Sequence, residues 1–147
     1  MRCTRFVLFL AMSSTTICFA ADKNVGTWKL VPSKSSGLGD RVVRTMKISM
    51  TGPNTFMYEF ETTDKDGKAS RNTDNRVCDG KEHTSEVDST VNYTCVVGHS
   101  VFKRDGKAYL EYTGTYSPDG KTLSNQVKRW DKDGKPLPTA INFFERQ

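Results

Sequence analysis

Residues 105–121 read Asp-Gly-Lys-Ala-Tyr-Leu-Glu-Tyr-Thr-Gly-Thr-Tyr-Ser-Pro-Asp-Gly-Lys, and their pattern decides the fold. Between the two Asp-Gly pairs, Ala108, Leu110, Tyr112, Gly114 and Tyr116 fall on one face, with the two-residue period of a β-strand. Asp-Gly between alternating segments is a strong hairpin signal, because glycine enters the φ > 0 region without a Cβ clash and aspartate tolerates it. The tripeptide Asp-Gly-Lys occurs five times, beginning at Asp66, Asp79, Asp105, Asp119 and Asp133. Such a rhythm announces an antiparallel meander.

Working outward, strands are expected near 25–31, 42–50, 54–63, 68–78, 91–97, 100–104, 107–116, 121–130 and 138–146, with a weaker one near 81–87. Met46, Ile48 and Met50 share a face in the second, Phe56, Tyr58 and Phe60 in the third, and Val91, Tyr93, Cys95 and Val97 in the strand near 91–97. Helical periodicity is nearly absent. Asp64-Lys65-Asp66-Gly67, Ser117-Pro118-Asp119-Gly120 and Asp131-Lys132-Asp133-Gly134 each suit a type I turn closed by glycine. Tight turns join only neighbouring antiparallel strands, and closing the sheet removes edges that would otherwise pair with other chains. The expected class is all-β, an up-and-down antiparallel meander closed into a barrel of eight to ten strands.

The Asp-x-Asp-Gly pairs do not spell a calcium loop. With Asp64 and Asp66 as third and fifth ligands, Thr73 stands twelfth, where a bidentate glutamate is required; in the second copy Ala140 does. No metal or other cofactor is expected.

Arg2 and Arg5 precede an apolar run from Phe6 to Met12 and a small-residue exit at Ala20-Ala21, the pattern of a secretory signal peptide over 1–20. Lipidation at Cys18 is the less favoured alternative, since Ile17 occupies the place of a small residue. Residues 21–147 are then one domain, periplasmic or secreted, with no stable membrane anchor after cleavage. Without Arg2 and Arg5 the net charge of +5 falls to +3, spread among turns where lysine neighbours aspartate. Nucleic-acid binding, which needs basic residues gathered on one face, is not expected. Cys78 and Cys95 remain as an even pair in an oxidising compartment, and a disulfide is expected between them.

Gly26-Thr27-Trp28 opens the first strand and Phe143-Phe144-Glu145-Arg146 closes the last. In this the chain resembles the calycins, the lipocalins and fatty-acid-binding proteins, and its Ser117 to Leu123 stretch resembles small exported lipocalin-like proteins of bacteria. The resemblance implies a lipocalin-like barrel in which Trp28 and Arg146 form a structural plug at the closed end. The chain departs from fatty-acid-binding proteins in two places. Pro32 to Arg41 is too short for a two-helix lid, and Asn142-Phe143-Phe144 stands where they carry Arg-x-Tyr.

Met46, Met50, Phe56, Tyr58, Phe60, Leu110 and Tyr112 are the candidate ligand-binding residues, because methionine repacks easily and aromatic rings offer large contact areas. The same residues suit a filled core, and sequence pattern does not separate the two. Ser70 to Arg76 is polar on both faces, as at a sheet edge, or where polar groups enter a lumen or meet another protein. No enzyme is expected, since His83 and His99 have no local base or metal partner at a recognised spacing, and Glu59 and Glu61 alternate with an apolar face and so point outward. The expected function is non-catalytic binding of a small apolar or amphipathic ligand. The alternative is an interaction module with a protein partner, such as an inhibitor of a protease or lysozyme, acting through Pro32 to Arg41 or Glu82 to Ser89.

Overall fold

The computed structural model describes residues 23–147; the signal peptide expected over 1–20 lies outside the described residues. Ten strands follow in chain order: β1 (Gly26–Leu30), β2 (Arg41–Gly52), β3 (Thr55–Asp64), β4 (Ala69–Val77), β5 (Glu82–Thr84), β6 (Val91–Val96), β7 (His99–Arg104), β8 (Lys107–Tyr116), β9 (Thr122–Arg129) and β10 (Ala140–Arg146). They form one antiparallel sheet in the order β4-β3-β2-β1-β10-β9-β8-β7-β6-β5. The only helical element among the described residues is a single 3-10 turn, Pro32–Lys34.

Turn chemistry sets this order. Gly67, Gly120 and Gly134 adopt φ of 80, 68 and 79°, and each N–H donates back to the carbonyl three residues earlier, on Asp64, Ser117 and Asp131. The aspartates at 64 and 131 cap their own turns. Asp64 Oδ1 accepts from the Asp66 and Lys68 amides, and Asp131 Oδ1 from those of Asp133 and Lys135, so these carboxylates serve the turn. Asp105 and Gly106 have φ of 51 and 74°, the two positive values of a type I′ hairpin. The fifth repeat behaves differently. Gly80, at φ 80°, sends its amide 2.9 Å to the Cys95 carbonyl on β6 and makes no hairpin.

Closure comes from β1, which pairs with β2 on one side and β10 on the other, with Trp28 opposite both Met46 and Arg146. Trp28 is fully buried. Its Nε1 donates to the Asn24 carbonyl at 2.9 Å, its ring meets Tyr116 at 5.5 Å, and the Arg146 guanidinium lies 4.8 Å over it. Arg146 in turn donates to the Lys23 carbonyl at 2.6 Å, which draws the segment before β1 across this end. Around the tryptophan the core holds Leu30, Met46, Ile48, Phe56, Leu123 and Phe144.

The circle is completed without a last ladder. No strand pairing joins β4 to β5, and the seam is bridged by side chains and by the Cys78–Cys95 disulfide, with Cα atoms 4.3 Å apart. The Tyr93 hydroxyl accepts from the Val77 amide at 3.0 Å, and Asn75 Nδ2 donates to Glu86 Oε2 at 3.2 Å.

A disulfide closing a loop of this size restricts the unfolded chain by about 3 kcal/mol. Replacing both Cys78 and Cys95 with serine therefore lowers the unfolding free energy obtained from denaturant titration by about that amount, and adding reductant to the double variant produces no further loss.

Candidate ligand site inside the barrel

Inward-facing residues of β2, β3, β8 and β9 do not fill the barrel. They surround a cavity of about 280 Å³, near the lower end of the roughly 300–1,000 Å³ common for small-molecule sites. Its apolar wall includes Met46, Ile48, Tyr58, Phe60, Leu110, Tyr112, Leu123 and Phe144. Tyr58 and Phe60 stack with centroids 6.0 Å apart.

Five of the seven candidate residues, Met46, Tyr58, Phe60, Leu110 and Tyr112, line this space. Met50 and Phe56 do not. Met50 is 51% exposed: the β2–β3 register is regular from Thr45 through Met50, so Met50 keeps the face of Met46 and Ile48, but it stands at the hairpin end of the strand and does not line the cavity. Phe56, opposite Met50, is buried in the core cluster with Cys78.

The cavity also has a polar side, and Arg76 of the polar fourth strand belongs to it, in keeping with one of the readings open to that strand, polar groups entering a lumen. That side carries Arg41, Arg76, Arg129 and His99 with Asn125 and Asn142, and no carboxylate among the described residues belongs to the cavity lining. The three arginines sit in different environments. Arg41 donates to the hydroxyls of Thr62 and Ser70, both at 3.1 Å. Arg76, with a side chain only 9% exposed, pairs with Asp74 at 2.6 Å, and its guanidinium lies 4.3 Å from the Tyr58 ring centre and 4.8 Å from that of Phe102. Arg129 has neither a carboxylate nor a hydroxyl partner among the described residues, and its Nε is buried without a hydrogen bond. The polar fourth strand is thus an edge that also sends a cation inward.

The rim is built by the segment between β1 and β2. Ser36 pairs with Ile141, and Ser35 Oγ accepts from the Phe143 amide at 2.9 Å, which holds this segment along β10. Gly37, at φ 63°, then lets the chain turn where a Cβ would lie 2.9 Å from the Thr139 carbonyl oxygen. Leu38 and Gly39 reach the cavity as a result.

Both histidines have carboxylate partners, contrary to the sequence reading. His83 Nε2 lies 2.8 Å from Asp79 Oδ1, and His99 Nε2 lies 3.3 Å from Glu111 Oε1. His83 and Asp79 are four residues apart, but on a seam segment rather than a helix; His99 and Glu111 meet only through the β7–β8 register. The hydrogen bond from His83 is the main reason that the Asp79 carboxyl is held below its ordinary value. Glu59 and Glu61 face outward, paired with Lys47 and Arg71. No cluster of three or more metal-ligating side chains occurs among the described residues, and no helix among them is long and apolar enough to cross a membrane.

No protein-family model matches the chain, and no curated protein matches it. Among solved structures, the chain is similar to the fluorescent protein UnaG, wild type, with a TM-score of 0.54 and 19% identity over 85% of this chain and 98% of that one. A mutant of UnaG gives a TM-score of 0.52 and 21% identity over 85% and 96%. At this identity the likeness concerns the fold alone: an antiparallel β-barrel like that of UnaG.

Loss of hydration in the cavity wall pushes the Tyr112 phenol above the ordinary tyrosine value, with nearby Arg76 acting weakly in the opposite direction. A phenol whose folded value is raised stabilises the fold fully below about pH 10, and that contribution fades as pH rises through the folded value. In a spectrophotometric titration a phenolate signal that appears above the ordinary tyrosine range in the wild type is therefore lost in Tyr112→Phe.

Proposed function

We propose that this chain is an exported, non-catalytic binding protein that holds a small amphipathic anion in its barrel. The observation that carries the reading is Arg129: a cation with a buried, unpartnered Nε on the wall of a cavity without any lining carboxylate. Arg129 is half-buried; leaving a partly desolvated charge without a counter-ion is costly, and a ligand anion offsets that cost while its apolar part covers Tyr58, Phe60 and Leu110. Arg76 is the weaker candidate, since Asp74 already neutralises it. Arg41 is exposed and stands at the rim, so it is suited to draw an anion in rather than to hold it.

Export rests on the sequence of residues 1–20 and accords with the disulfide. Binding without chemistry accords with the setting of the two histidines, each engaged with one carboxylate.

The test uses an anionic naphthalenesulfonate dye and a neutral dye of similar size. The wild type enhances the fluorescence of the anionic dye, and Arg129→Leu weakens that binding by about tenfold, equivalent to about 1.4 kcal/mol, while binding of the neutral dye changes by less than about threefold. Equal loss for both dyes removes the role assigned to Arg129. No enhancement with either dye, together with a bare mass for the gently purified protein in native mass spectrometry, removes the binding function.

A further inference from the structure

Among the described residues the barrel has three places through which a molecule can reach the cavity, and they differ in what must break. At one end Trp28 is fully buried under Arg146 and the Lys23 carbonyl. At the other, Leu38 and Gly39 cover the rim on a segment fixed to β10 through Ser35 and Ser36. The third is the seam between β4 and β5, where no strand ladder exists. Opening any other wall of the barrel breaks a continuous row of backbone hydrogen bonds, whereas opening the seam moves side chains.

At that seam lies a second hollow of about 190 Å³, lined by Asp74, Ser85, Val87, Asp88 and Tyr109 among others. It shares Arg76, Leu110 and Tyr112 with the main cavity, so the two spaces meet at the Arg76 side chain. Val87, at its rim, is 69% exposed. The far side of the hollow is kept in shape by Asp88, which accepts from Thr90 and from Arg104 at 2.9 Å. The staple Cys78–Cys95 and the Gly80 amide on the Cys95 carbonyl hold the seam shut at one end. Toward Ala69 the edge strand is exposed. Side-chain separation therefore has a fixed hinge end and a free end.

We propose that the seam between β4 and the 85–91 turn is the entrance of the ligand cavity, latched by the Arg76–Asp74 pair. Arg76 closes the passage by lying against Tyr58 and Phe102 while Asp74 holds it there. An incoming anion competes with Asp74 for the guanidinium, and the displaced arginine clears the way between the hollow and the cavity. This proposal rests on the binding reading above, and it adds a route and a specificity-determining pair to it.

The experiment measures stopped-flow association and dissociation of the anionic dye in full-length protein carrying Cys3→Ser and Cys18→Ser, so that the only other cysteines are the two joined in the native disulfide. Asn75→Cys and Glu86→Cys place thiols on opposite sides of the seam at residues that line neither space, and a short bismaleimide joins them. The expected result is that cross-linking slows both rates by tenfold or more while the equilibrium affinity stays within about threefold. In the uncross-linked protein Asp74→Asn raises both rates by severalfold, because the latch has lost its counter-charge. Unchanged rates after complete cross-linking, verified by mass, overturn the seam as the route and return entry to the Leu38 rim. Failure of the dye to bind even before cross-linking defeats the binding function itself, a separate outcome from failure of the route.

Discussion

The pairing of β1 with both β2 and β10 governs everything else in the molecule. A meander of ten strands has two free edges, and in an open sheet these would be its first and last strands. Because β1 joins β10, with Trp28 opposite Arg146, the free edges fall instead on β4 and β5, neighbours in the chain. A seam between neighbours can be stapled by a short covalent loop, which is where Cys78 and Cys95 sit. The cavity, the hollow beside it and the inward arginine of β4 are all consequences of where this closure leaves the gap.

Much of this frame was legible because it is written in local chemistry. Four of the five Asp-Gly-Lys repeats turn hairpins, and the positive φ values of Gly67, Gly106, Gly120 and Gly134 meet the demand that makes glycine necessary. Alternation located every strand, the weak one at β5 included, and the even pair of cysteines is joined. What escaped the sequence was non-local. Arg76 sits in a run of polar residues of the kind edge strands carry, and the rings that receive it come from β3, β7 and β8. No spacing within the chain announces that meeting. Met50 keeps the face that alternation assigns it but lies at the hairpin end of β2, and period alone does not say where along a strand the cavity ends. His83 met Asp79 through the seam segment, where neither helical nor strand periodicity applied.

The three arginines show how one residue type takes three roles through its surroundings. Arg41 is satisfied by hydroxyls, Arg76 by a carboxylate and aromatic faces, and Arg129 by neither. In water all three would be equivalent; desolvation on the cavity wall is what separates them, because the cost of an unmatched charge grows as water is excluded. The apolar rings thus set the energetic value of the charge beside them as well as offering contact area of their own.

The contact between Arg146 and the Lys23 carbonyl joins groups 123 positions apart. Contacts of such long sequence separation form late and slowly, since the entropy of closing the loop is lost before any reward is gained. The plug under Trp28 consequently cannot assemble on a growing chain until β10 has been made. Hairpins from β2 to β9 are free to form as they emerge, but the circle waits for its last strand.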